Sequence, residues 1–78
     1  MKRDMKAKIR LDTQGDILKL VGIATSIGTP VYLTDNNDIR VSAKSMLGTT
    51  YAKFEFAEIW LECDGEHYFA FRDFVVEE

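Results

Sequence analysis

The chain has 78 residues, of which 46% are hydrophobic and 29% charged, with a net charge of −3. That length holds one domain, residues 1–78, which buries roughly 60% of the surface its unfolded form exposes. The composition excludes a disordered chain, the short apolar runs exclude a transmembrane helix, and the acidic balance argues against a nucleic-acid partner.

The charge is uneven. Half of the ten basic residues, Lys2, Arg3, Lys6, Lys8 and Arg10, lie in the first ten positions, and the remaining 68 residues hold five bases and twelve acids. No apolar signal-peptide core comes after the first charges, and a single cysteine, Cys63, permits no internal disulfide framework. Both features predict a cytoplasmic protein.

Residues 5–12 alternate. Met5, Ala7, Ile9 and Leu11 point one way and Lys6, Lys8, Arg10 and Asp12 the other, the pattern of a half-buried strand. Thr13-Gln14-Gly15-Asp16 breaks it, and either Thr13 or Asp16 is suited to cap a helix. Ile17, Leu20, Val21, Ala24 and Ile27 recur at three and four, which predicts an amphipathic helix ended by Gly28-Thr29-Pro30. Val31–Thr34 reads as a second strand, Asp35–Asp38 as a hairpin turn, and Ile39–Val41 as a short third strand. Ser45 is an N-cap residue type, and a capped helix is expected from about Ser45 to Tyr51. Phe56–Glu62 reads as a fourth strand, with Ile59 and Leu61 on one face and Glu58, Trp60 and Glu62 on the other. After the Asp64-Gly65 turn, Tyr68, Phe71, Phe74 and Val75 fit a helical stripe, although the β-formers Phe69-Ala70-Phe71 admit a strand on propensity alone. Taken with a final helix, the order is βαββαβα. It predicts an α+β, open-faced, two-layer sandwich: a four-stranded antiparallel sheet with helices on one face.

Lys44, Ser45, Met46, Leu47 and Gly48 place a lysine before a capping serine, two apolar residues after it, and a closing glycine. This stretch resembles the regulatory-serine region of HPr, the histidine-containing phosphocarrier of the bacterial sugar phosphotransferase system. The order of elements over about residues 5–78 is similar to that family's and supports a helix at the end of the chain. The resemblance implies that the first and fourth strands are neighbours, so that Lys6, Lys8 and Arg10 face Glu58, Trp60 and Glu62 over the open side of the sheet. It also implies a docking surface made of the start of the first helix and the Ser45 region, here Asp16, Lys19, Lys44, Met46 and Leu47. Partners would be phosphotransferase-system proteins or transcriptional regulators. Ser45 would be the candidate phosphorylation site.

The family carries phosphate on a histidine at the start of its first helix. The matching stretch here is Gly15-Asp16-Ile17-Leu18-Lys19-Leu20, with Ile17 at the histidine position and Lys19 at that of an arginine. An isoleucine cannot accept a phosphoryl group, and Asp16 would repel a phosphoryl donor, so histidine phosphotransfer is expected to be lost. His67, the one histidine, lies some fifty residues away with no basic cluster around it. It reads as a partly exposed residue in the first turn of the last helix. No second Cys/His pair joins Cys63 and His67 into a metal site. Cys63 has no adjacent activating base, and no glycine-rich phosphate loop is present. The chain is therefore read as non-catalytic, with no cofactor and no metal. Phe54, Phe56, Phe69, Phe71 and Phe74 are read as core. Trp60, with Tyr32 near it, forms a candidate contact patch on the open sheet face, so the alternative function is a structural or assembly module that dimerises there.

Overall fold

A computed structural model describes residues 4–76. Its elements are β1 (Asp4–Ile9), α1 (Gln14–Thr25), β2 (Tyr32–Thr34), β3 (Arg40–Ser42), α2 (Met46–Glu55), β4 (Ile59–Asp64) and a closing 3-10 helix, Tyr68–Phe74. The four strands form one antiparallel sheet in the order β1-β4-β2-β3. This is the α+β open-faced sandwich that the element order predicts.

The alternating patterns place the core. Leu33 and Leu61 on the inner face of the sheet, Leu20 on α1 and Phe71 on the 3-10 helix are fully buried. Ile9, Ala24, Ala43, Ala52, Phe56, Ile59 and Phe74 belong to the same cluster. In the β1–β4 register Lys6 lies opposite Glu62 and Lys8 opposite Trp60. The expected charged rows therefore share the open face, with Lys6 Nζ 3.9 Å from Glu62 and Lys8 Nζ 3.7 Å from Glu58. Arg10 departs from the pattern. It lies beyond the end of β1 and pairs with Asp12, 3.1 Å away.

The turn between β2 and β3 is built by Asp35 and Asn36. Asp35 Oδ1 accepts from the backbone N–H groups of Asn37 and Ile39, and Asn36 takes a positive φ of 65°, a conformation asparagine tolerates. Because β1 and β3 run in opposite directions, the helices that return from them, α1 and α2, are antiparallel. The Lys44 ammonium marks that arrangement: just before α2 starts, it donates to the Ile27 carbonyl just past the end of α1, at 2.6 Å.

Three elements differ from expectation. Helix α2 runs four residues past Tyr51, to Glu55, because Ala52 is buried on its inner face and Phe56 supplies the C-cap. Strand β4 accordingly starts at Ile59 and not at Phe56. The last helix is 3-10 and not α. Its repeat of three residues sets Phe71 and Phe74 one above the other, both facing the core. The chain then extends along the outer edge of β1, where Arg10 N–H donates to the Phe74 carbonyl and Val76 N–H to the Lys8 carbonyl, each at 2.9 Å. Phe54 and Phe69, expected in the core, are 71% and 68% exposed.

Candidate functional site

The start of α2 is assembled from the residues before it. Ser42 Oγ accepts from Lys44 N–H, and the Ser42 carbonyl accepts from Ser45 N–H, which turns the chain off β3. Ser45 has the extended backbone of an N-cap, with φ −98° and ψ 124°, and its Oγ accepts from Gly48 N–H at 3.0 Å. The residue is exposed, so the capping oxygen is also on the surface. Gly48 permits a close approach of α2 to β3: a Cβ there would stand 3.1 Å from the Ser42 carbonyl oxygen.

Beyond the cap, α2 presents apolar side chains to solvent. Leu47 is 84% exposed, Tyr51 45% and Met46 39%. Together with Phe54, Leu47 and Tyr51 stand at i, i+4 and i+7, which places them within about 60° of one another around the helix. Tyr51 is propped edge-on against Phe56, with ring centroids 5.9 Å apart, and the Lys53 ammonium sits over the Phe54 ring at 5.3 Å. Patches of large exposed apolar groups on one element are how docking surfaces are recognised.

The start of α1 is a different environment. Thr13 is the N-cap, and Asp16 closes a capping box, its Oδ2 accepting from the Asp12 and Thr13 backbone N–H groups at 2.9 and 3.1 Å. Those backbone donors hold the Asp16 carboxyl below its ordinary range. Ile17, at the position resembling the phosphocarrier histidine, is only 2% exposed. Lys19 reaches Asp73 at 3.9 Å. Asp16 and Lys19 line a cleft with Arg10, Asp12, Phe69 and Arg72, and the Arg72 guanidinium lies 4.2 Å from the Phe69 ring centre.

The five residues that the resemblance groups as a docking surface thus fall into two sets. Asp16 and Lys19 sit at the start of α1, whereas Lys44, Met46 and Leu47 sit by its end. The length of α1 from Asp16 to Thr25, about 14 Å, separates them. Lys44 is also committed, through its ammonium, to the Ile27 carbonyl. On the surface beside Ser45, Met46 and Leu47 are joined instead by Tyr51 and Phe54, two residues that the sequence reading did not assign to a docking surface. Their spacing from Leu47 was the available signal.

On the open sheet face Tyr32 lies opposite Glu62, and Trp60 opposite Lys8 and Thr34. Both rings are partly covered. The Arg40 guanidinium stacks on Tyr32 at 4.2 Å and reaches Glu62 at 3.5 Å. The Lys6 ammonium lies 5.9 Å from the Trp60 ring centre and also contacts Asn36, while the Trp60 indole N–H donates to Glu58 at 3.1 Å.

His67 is more tightly organised than its sequence context suggests. Its Nδ1 lies 2.7 Å from Asp64 Oδ1, which also accepts from the His67 backbone N–H. The other oxygen, Oδ2, accepts from Thr29 Oγ1 at 2.8 Å. The Asp64 carboxylate is buried, and these donors, Thr29 first, hold its pKa below the ordinary value. The trio joins the end of β4 to the start of the 3-10 helix and to the loop between α1 and β2. Next to it Cys63 is buried, and that burial pushes its thiol up to about 11, so the reactive thiolate is scarce. Among the described residues no three His, Cys, Asp or Glu side chains gather as a metal site, and no helix is long and apolar enough to cross a membrane.

No protein-family model matches the chain, and neither a curated protein nor a solved structure matches it.

Proposed function

We propose that the chain is an HPr-like protein of the sugar phosphotransferase system family, without histidine phosphocarrier activity, that works by protein–protein contact through the Ser45 helix region. The observation that carries the reading is the exposed row Leu47, Tyr51 and Phe54, which begins two residues after a surface serine that caps its own helix. A phosphotransferase-system protein or a transcriptional regulator with an apolar recess is the partner of fitting chemistry. A phosphate on Ser45 would be held at the positive end of α2 and would put charge beside the apolar row, weakening apolar docking.

Element order, strand order and the Lys44–Gly48 motif support the HPr-like assignment. For the loss of the carrier step, support comes from Ile17, a buried aliphatic side chain where that chemistry needs an exposed imidazole. The ring of His67 is tied to Asp64, on a different element from the start of α1. The open sheet face is the poorer interface, because both Tyr32 and Trp60 carry a cation on the ring, whereas in the α2 row Lys53 covers Phe54 and leaves Leu47 84% exposed.

Two labelling reactions test the reading. Incubation with the system's first enzyme and phosphoenolpyruvate should transfer no phosphate, while HPr kinase with ATP should label Ser45 and leave a Ser45→Ala variant unlabelled. Label on His67 in the first reaction would overturn the loss of carrier activity. Absence of label in the second would remove the switch assigned to Ser45.

A further inference from the structure

We propose that a second copy of this chain covers the exposed row on α2, the two α2 helices packing antiparallel across a two-fold axis. The inference rests on reading α2 as a docking face and names the occupant of that face when no other protein holds it.

Two properties of α2 point to a copy of itself. The first is placement. Leu47 is the second residue of the helix and Phe54 the second from its end, with Tyr51 next to the midpoint. A two-fold axis through the midpoint therefore sets each Leu47 against the partner's Phe54 and brings the two tyrosines together at the centre. That is the self-complementary pattern a two-fold interface requires. The second property is charge. Helix α2 has no acidic residue in its first turn, where one would be favourable, and its last turn carries Glu55 together with Lys53. Around the helix Glu55 stands about 80° from Leu47 and Lys53 about 120°, so antiparallel pairing brings Glu55, the nearer of the two to the row, to the start of the partner's helix.

Leu18 on the neighbouring antiparallel helix α1 is exposed too, at 54%. The added area is modest. One row from a ten-residue helix and its neighbour falls below the roughly 1,200–2,000 Å² of a standard interface, so association should be weak and concentration-dependent. A docking partner would compete with the copy, and phosphate on Ser45 would stand against the partner's Glu55 and drive the pair apart.

Cysteine cross-linking combined with sedimentation tests the geometry on the full chain. Both positions are exposed, and circular dichroism checks that the variants fold. A Leu47→Cys, Phe54→Cys double variant should form a disulfide-linked dimer under mild oxidation, whereas Leu47→Cys alone should not, since Leu47 does not meet its own copy. The unaltered chain should pass from monomer to dimer between low micromolar and millimolar concentration, and Glu55→Lys should weaken that association several-fold at low salt. A monomer throughout the range, or equal cross-linking by Leu47→Cys alone, would overturn the antiparallel pair. Either result leaves docking of a different protein on α2 standing, because that is read separately by the response of the α2 amides to the added partner.

Discussion

Asp64 shows how much one buried carboxylate organises. It accepts from Thr29, from the His67 ring and from the His67 backbone, and these bonds join three segments that lie apart in the chain. They favour the charged form, so the folded state holds the Asp64 pKa below the ordinary 3.8. The stability this contributes is complete above that ordinary value and is lost as the pH falls through the lower, folded one. Urea unfolding over a pH series should therefore show Asp64→Asn well below the natural chain at neutral pH, with the gap closing under strong acid. A gap that does not change with pH would mean that the charge of Asp64 does not matter. The partnership was only partly legible in the sequence. Aspartate three residues before a histidine, at a strand end, is a visible spacing, but Thr29 is 35 positions away and only the fold brings it in.

At the scale of elements, the two helices treat glycine in opposite ways. Gly22 in α1 has open space where a Cβ would go, whereas Gly48 in α2 has the Ser42 carbonyl oxygen at 3.1 Å and Val41 Cβ at 3.3 Å. Gly22→Ala should raise stability by about 0.5–1 kcal/mol by removing the entropy cost of a mid-helix glycine. Gly48→Ala should lower it, because the backbone of β3 cannot move aside without breaking the turn that caps α2. Chemical denaturation of both variants reads the contrast, and a stabilised Gly48→Ala would refute the close approach. The strands and α1 were legible because alternation and three–four spacing are local signals. The end of α2 was not. Lys53-Phe54-Glu55-Phe56 alternates as a strand does, and it is the burial of Ala52 and Phe56 that continues the helix. The tail misled in a similar way, since aromatic residues three and four apart fit an α-helix and a 3-10 helix almost equally well.

The whole molecule has two unlike surfaces. The open sheet face satisfies itself, with cations stacked on its aromatic rings and paired with Glu58 and Glu62. On the α2 side Leu47 and Phe54 are exposed, with the Lys53 ammonium over the Phe54 ring. The resemblance groups Lys44, Met46 and Leu47 with Asp16 and Lys19, which lie toward the far end of α1, whereas the exposed apolar side chains continue from Leu47 along α2 to Tyr51 and Phe54. Amide chemical shifts of the isotope-labelled chain, titrated with the first enzyme of the phosphotransferase system or a regulator that binds HPr, test the proposal that α2 is where this protein meets other proteins. Shifts should concentrate on Lys44–Glu55 and largely disappear in a folded Leu47→Asp, Phe54→Asp variant. Shifts confined to the Tyr32–Trp60 sheet face, or unchanged by the double variant, would contradict it.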